Sequence, residues 1–335
     1  MNDAVLGYIQ YFSTRGHRTL VAALQRAGRY RPMIQRILDE EGVPQELIHL
    51  AQAESGFIPS ARSRMRAVGL WQFVAFRGNE YGLNQSLRAD ERRDPEKSTR
   101  AAARHLRDLY TQFGDWYLAI AAYNCGPLTV EKAVERTGYA DFWELRRRAV
   151  LPLETTNYVP IILAMTIMGK NAAEYGLDQL NLEPPLDYDT VEIPVATHLA
   201  LISDLTETPV SQLMELNPAL LKPAAPEGYS LHVPKGTGSA LTASLEMVPP
   251  ERRLAWRVHK VGYGETVASI GKRYSTAASS LLAANALKTT DAVREGDRLV
   301  VPAAPPAPRP TARRAAGKTP PRPAAKKSVT QRASR

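Results

Sequence analysis

The second half of this chain repeats itself. At an offset of 68 residues, Ile193, Ile202, Leu213, Asn217, Leu231, Val233 and Pro234 are matched by Val261, Ile270, Leu281, Asn285, Leu299, Val301 and Pro302. The interval from leucine to asparagine is four residues in both copies, and from asparagine to proline seventeen. Such self-similarity constrains the architecture before any single residue is considered: this half must be two copies of one small unit. Each copy reads as strand, two short helices, strand. The copies at 190–236 and 256–302 are too short to bury much core, so compact α+β modules are expected.

The first half has a different character. Residues 1–180 read as helical throughout, and Glu183-Pro184-Pro185 breaks the pattern. Asp94-Pro95 is a helix cap followed by proline at the first helical position. Ala102, Leu106, Leu109, Tyr110 and Phe113 continue at helical spacing, and Gly114 closes the segment. Asp115 caps the next helix, the alanine-rich Trp116–Asn124, and a further long helix is expected from about Glu154 to Tyr175. A helical, basic preface at 1–40 thus precedes a compact all-α domain at 41–182.

Within that domain one carboxylate stands out. Pro44 starts a short helix in which Leu47, Ala51 and Glu54 are four and three residues apart, so Glu54 falls on the buried stripe. Ser55-Gly56 ends the helix. A carboxylate on a buried face at a helix C-terminus is disfavoured by desolvation and by the negative end of the dipole. Its pKa should rise, which suits a general acid working near neutrality. Position alone also allows a glutamate paired with one of Arg62, Arg64 or Arg66.

The surrounding residues bear on that choice. Glu54-Ser55-Gly56-Phe57, Pro59, Ala61, Ser63, Ala67-Val68-Gly69-Leu70-Trp71-Gln72-Phe73 and Tyr81-Gly82-Leu83 resemble the signature of the soluble-lytic-transglycosylase domain, the goose-type lysozyme fold. Ala121-Ala122-Tyr123-Asn124-Cys125-Gly126 and Glu154-Thr155-Thr156-Asn157-Tyr158-Val159 resemble that family's second and third motifs, in the right order. The resemblance implies a mainly α, lysozyme-like domain that cleaves the β-1,4 bond between N-acetylmuramic acid and N-acetylglucosamine in peptidoglycan, with no metal or cofactor. It implies Glu54 as the single acid/base. Ser63 and Gln72 would hold the substrate's acetamido and sugar groups, and Tyr123 and Asn124 would position the reacting saccharide. Glu154 would be a supporting carboxylate near Tyr123. By residue type alone, Ser63 also suits a helix cap and Tyr123 a core position with its hydroxyl satisfied. The sequence departs from the family pattern at Arg66, where glycine is usual, and at Val74, Ala75 and Arg77. Rival readings are a hydrolytic muramidase of the same fold and a noncatalytic wall-binding protein.

The second copy resembles a LysM module, with Gly264-Glu265-Thr266 at the first helix cap and Asn285 closing the second helix. That resemblance implies binding of N-acetylglucosamine-containing glycan beside those loops. The first copy is a more degenerate member, in which Pro194-Val195-Ala196 replaces the turn motif. Charge separates the last segment. Residues 303–335 carry nine Lys and Arg and no acid, against a net charge of +9 for the whole chain, so the body is close to neutral. A basic nucleic-acid-binding body is excluded, and the Pro/Ala/Lys/Arg tail, expected to be disordered, lacks the aromatic residues that stack on bases. A nonspecific tether to anionic envelope components fits it better. Met1–Gln10 has no secretory pattern and Cys125 is the single cysteine, so a periplasmic or outer-membrane-associated protein would have its leader and lipid anchor outside this sequence.

Overall fold

The computed structural model describes residues 2–288 and 293–302, so the expectation for the 303–335 tail lies outside the described residues. Helix α1 (Asp3–Ser13) and the long α2 (His17–Glu40) open the chain, and a 3-10 turn at Gln45–Leu47 leads into α3 (Ile48–Ser55). A mostly irregular stretch follows, carrying α4 (Ala75–Glu80) and a second 3-10 turn at Glu91–Arg93. Then α5 (Pro95–Phe113), α6 (Trp116–Cys125), α7 (Pro127–Thr137), α8 (Phe142–Arg147) and α9 (Leu153–Lys170) complete a helical domain.

The caps act as their sequence suggests. The Asp94 carboxylate accepts from the Glu96 and Lys97 amides, with Pro95 beginning the helix, and Asp115 accepts from Leu118. Two expectations need correction. The domain is not helical throughout: between α3 and α4 the chain folds into a tight hairpin with antiparallel bridges Arg62–Val68 and Val68–Phe73. Phe57, Arg66 and Gln72 all take positive φ there, which no helix accommodates. The last helix of this domain does not run to Tyr175 either. Asn171 donates to the Ile167 carbonyl through both its backbone and its side chain, and a 3-10 turn at Ala172–Tyr175 replaces the final α-turn.

The 1–40 segment, for which the sequence suggested no role, packs into this domain. Ala27, Tyr30, Ile34, Ile37 and Leu38 of α2 join the main core, and Val5, Ile9 and Phe12 of α1 pack with Met165 and Met168 of α9. Helices α5 and α6 meet through fully buried alanines, including Ala102, Ala103, Ala119 and Ala121, which lets their backbones approach closely. At the end of α2, the buried Glu41 carboxylate receives Arg100, Arg104 and Arg107 of α5 at 3.0–3.1 Å.

The first module consists of β1 (Tyr188–Ile193), β2 (Thr197–His198), α10 (Leu199–Thr206), α11 (Val210–Leu216), β3 (Ala224–Ala225) and β4 (Tyr229–Pro234). Strands β1 and β4 pair antiparallel, with Val191 opposite Leu231. Helix α12 (Gly238–Leu245) joins it to the second module, built from β5 (Arg257–Lys260), α13 (Val267–Tyr274), α14 (Ala278–Ala284) and β6 (Arg298–Val301). The repeated asparagine now has a physical reason. Asn217 Nδ2 donates to the Leu213 and His232 carbonyls and Oδ1 accepts from the His232 amide; Asn285 does the same with Leu281 and Val300. One amide thus clips the second helix of each copy to its last strand. The β5–β6 ladder serves two cores: Leu299 and Val301 face their own module, while Val258 and Val300 pack into the first.

The segment before β1 lies along α2, with the Glu183 amide donating to Gln25 O at 2.9 Å and Arg29 pairing Glu183 at 2.9 Å. The approach is close enough that a Cβ on Gly28 would stand 2.3 Å from the Glu183 carbonyl oxygen. Helix propensity favours Gly28→Ala by about 1 kcal/mol, but overpacking against a backbone atom typically costs about 1–3 kcal/mol. We expect the clash to win and the thermal midpoint to fall. A midpoint that rises would show that the segment yields freely.

Candidate active site

Helix α3 ends at Gly56, and the last turn turns Glu54 into a cleft of about 650 Å³. Leu47 and Ala51, the other members of its stripe, are buried in the main core, as their spacing predicted. The cleft brings together every residue singled out for this domain: Glu54, Ser63, Gln72, Tyr123, Asn124 and Glu154 all line it. Its lining comes chiefly from the 62–73 hairpin, the C-terminal ends of α3 and α6 and the start of α9. Arg64, Met65, Phe76 and Arg77 add a rim that is both cationic and apolar.

Burial raises the Glu54 carboxyl to a pKa of about 7; a hydrogen bond from Tyr158 opposes the rise and the nearby charge of Glu154 adds to it. The Tyr158 hydroxyl donates to Glu54 Oε1 at 2.6 Å. Sequence reasoning quoted Tyr158 within a motif but gave it no role. Its signal was spacing: it stands one helical turn after Glu154, so both face the same side of α9. Burial likewise raises the Tyr158 and Tyr123 hydroxyls well above 10, so both remain neutral donors.

The other cleft residues are each half-tied to their own chain. Ser63 Oγ accepts from the Ala67 amide at 3.0 Å, closing a turn of the hairpin rather than capping a helix, and its hydroxyl hydrogen has no acceptor among the described residues. Gln72, at φ 49°, donates through Nε2 to the Gly69 and Ala61 carbonyls and keeps Oε1 as an acceptor. Tyr123 donates to the Trp71 carbonyl at 2.8 Å, and Trp71 is itself buried and anchored on Thr99. Asn124 Oδ1 accepts from Thr155, while Nδ2 lies 3.4 Å from Glu154 Oε1. Glu154 thus accepts from Asn124 and lines the same cleft as Tyr123, near which the resemblance placed it. Behind Tyr123, burial lowers His105 to a pKa of about 4, with Arg77 lowering it further, so its ring is neutral near pH 7. Arg66, where the family usually has glycine, takes a glycine-like φ of 62°.

In the second module the singled-out residues build the loop itself. Gly264 makes a turn at positive φ, and Thr266 caps α13 in a reciprocal pair with Ser269. Glu265 accepts from the Gly262 amide and pairs with His259 and Arg273. Asn285 is the helix–strand clip already described. The exposed group beside them is the Tyr263 ring, at 91% of its accessible surface. Among the described residues there is no group of three or more His, Cys, Asp or Glu placed to hold a metal ion.

A buried carboxyl with a raised pKa sets the direction of a stability effect. The folded state holds the Glu54 proton more tightly than the unfolded chain, whose value is near 4.5. Stability should therefore decrease as pH rises from about 4.5 to about 7, and level off above. Glu54→Gln removes this loss while keeping an acceptor for Tyr158. The variant should match the wild type near pH 4 and exceed it by roughly 3 kcal/mol above pH 7. Parallel pH dependence of the two unfolding curves would show that Glu54 is not held neutral by burial.

The chain is similar in sequence to known proteins along most of its length. Residues 32–146 match the family "Transglycosylase SLT domain", residues 187–249 match "Lytic transglycosylase MltD, LysM-like domain", and residues 259–302 match "LysM domain". Membrane-bound lytic murein transglycosylase D of Escherichia coli is 33% identical over 282 residues, covering 78% of this chain and 61% of that protein. The chain thus spans about three fifths of the length of this curated relative. The peptidoglycan transglycosylase gp16 of Escherichia phage T7 is 35% identical over 100 residues, 29% of this chain and 8% of the phage protein. Among solved structures, an inactive mutant of the lytic transglycosylase Slt from Pseudomonas aeruginosa aligns at 25% identity over 46% of this chain and 25% of that one, with a TM-score of 0.37. This chain is thus similar to the transglycosylase SLT family over residues 32–146, to the LysM-like domain of the MltD type over 187–249 and to LysM domains over 259–302.

Proposed function

We propose that this chain is a peptidoglycan lytic transglycosylase. It cleaves the β-1,4 bond between N-acetylmuramic acid and N-acetylglucosamine and leaves a 1,6-anhydro-muramoyl end. The observation that carries this reading is the Glu54 carboxyl, placed in an open cleft with its pKa near 7. Such a group is protonated often enough to give a proton and ionises readily enough to take one back.

The chemistry follows from the arrangement. Neutral Glu54 donates its proton to the glycosidic oxygen as the bond to C1 breaks. The substrate's own acetamido group stabilises the positive charge developing at C1, held by the free Ser63 hydroxyl hydrogen and the free Gln72 Oε1. The Glu54 carboxylate left behind is stabilised by the Tyr158 hydroxyl until it accepts the proton of the sugar's C6 hydroxyl. That oxygen attacks C1 and closes the anhydro ring, an intramolecular step favoured over attack by water through proximity. Tyr123 and Asn124 line the same cleft and would orient the reacting saccharide. The second module, with Gly264, Glu265, Thr266 and Asn285 shaping its loop, would hold glycan strands. The basic 303–335 tail would tether the protein electrostatically to anionic envelope components. The place of action would be the cell envelope, where the substrate lies; no helix among the described residues is long and apolar enough to cross a membrane.

One observation favours a hydrolytic alternative. Glu154 lines the same cleft, and a conventional glycosidase uses two carboxylates. Its link to Asn124 favours a supporting part instead. The two readings differ by one water. Muropeptides released from purified sacculi should be about 18 Da lighter than the corresponding hydrolysis products, because no water enters the bond. Exclusively reducible muramic ends would leave the muramidase reading standing. Glu54→Gln should cut turnover by on the order of 10²–10⁴-fold with binding to sacculi retained. Because the acid must start protonated, kcat should decline as pH rises through about 7. A rate that climbs steadily through that range would remove Glu54 as the acid.

A further inference from the structure

Asp90 and Arg92 lie outside the cleft, yet they form a buried pair. Arg92 donates through Nε to Asp90 Oδ1 at 2.9 Å and through Nη2 to Oδ2 at 2.7 Å. Its remaining nitrogen, Nη1, donates to two main-chain carbonyls, Phe73 at 3.1 Å and Arg66 at 3.3 Å. Those carbonyls belong to the hairpin that carries Ser63 and Gln72, Arg66 in its 63–67 turn and Phe73 where it bridges Val68. The contact is also steric. A Cβ on Gly69 would lie 1.8 Å from the Arg92 carbonyl oxygen, so the hairpin is seated directly on the Arg92 backbone.

The other side of this segment is held by the first module. The Asp90 amide donates to the Ala219 carbonyl at 2.9 Å and the Leu221 amide donates to the Arg88 carbonyl at 2.8 Å, around an antiparallel bridge between Ala89 and Leu220. Leu220 is buried in the module's core, and Ala89 of the helical domain packs against that same core. Near the other end of the interface, the Tyr188 ring stacks on His232 at 3.9 Å, and its hydroxyl reaches Glu96 of α5.

We infer that the first module is a working part of the cleft. Its Ala219–Leu221 edge fixes Arg88–Asp90, the Asp90–Arg92 pair carries that constraint inward, and Arg92 is a positioning residue for Ser63 and Gln72. The inference rests on the proposed transglycosylase reading. A planar guanidinium suits the task because one rigid fork meets a carboxylate and still leaves a nitrogen for two carbonyls. A module that only bound wall polymer would add to affinity for an insoluble polymer and nothing to turnover of a short fragment.

Two disruptive variants, one control variant and one measurement on the unaltered chain test this. Leu221→Pro deletes the amide that Arg88 O accepts, far from the cleft. Arg92→Lys keeps a charge beside Asp90 but loses the fork. Steady-state kinetics on short soluble glycan fragments, with binding to insoluble sacculi measured in parallel, should show kcat reduced about tenfold or more in both, since small misplacements of positioning groups are costly. Binding to sacculi should be unchanged, and Leu221→Ala, which retains the amide, should keep the wild-type kcat. Wild-type kcat in both altered chains, or a loss confined to sacculus binding, overturns the inference. A wild-type chain inert on the fragments defeats the transglycosylase reading itself, a separate result. Native-state hydrogen exchange decides the case even if a variant fails to fold. The amides of Ala67, Gly69 and Phe73 should open in one cooperative unit with those of Asp90 and Leu221. Hairpin amides that open independently of the module sink the proposal.

Discussion

A carboxyl group withdrawn from water yet facing an open cleft is the constraint around which the helical domain is built. Burial drives Glu54 toward its neutral form, and the Tyr158 hydroxyl pulls the other way by stabilising the ionised form. The balance depends on walls that do not move. The α3 stripe must be packed underneath, which Leu47 and Ala51 accomplish, and α9 must present Tyr158 at hydrogen-bond distance. The alanine-lined approach of α5 and α6 keeps Tyr123 and Asn124 at the same edge. Remove the walls and the group becomes an ordinary surface glutamate.

The polar residues around Glu54 share a further trait. Ser63, Gln72, Tyr123 and Asn124 each make a hydrogen bond within the chain and keep polar capacity toward the cleft. A side chain fixed by one of its own bonds has already lost most of its rotational freedom, so ordering it around a substrate costs little more. The cleft is therefore preorganised by bonds within the hairpin, between it and α6, and between α6 and α9.

Much of this was legible in the sequence, for reasons that can be named. Asp94 and Asp115 revealed themselves as caps because capping is local chemistry, settled within three residues. The position of Glu54 followed from helical spacing, and the two modules from their own repetition. The long-range features gave no such signal. Nothing periodic links Arg88–Asp90 to Ala219–Leu221, and the β2–β3 pairing is two residues long on each side. Arg92 sits in an arginine-rich stretch where charge alone does not single it out, and only its burial shows which arginine matters. The irregular hairpin was missed because its bonds close across positive-φ residues, two of them not glycine, where propensity points elsewhere. The residues singled out in the LysM loop turned out to shape it, and the exposed ring beside them, Tyr263, drew no notice because exposure is invisible to spacing.

The β5–β6 ladder has a mechanical consequence. Because Val258 and Val300 lie in the first module's core while Leu299 and Val301 lie in the second's, the two modules share a common wall, reinforced where Arg257 grips Asp204 through both carboxylate oxygens. A swing of one past the other would have to pull these residues out of their shared packing. A glycan strand touched at the second module and at the cleft would be gauged by a fixed span, as between the jaws of a caliper. The protein would then engage a polymer at intervals set by its own dimensions, independent of how the strand happens to diffuse.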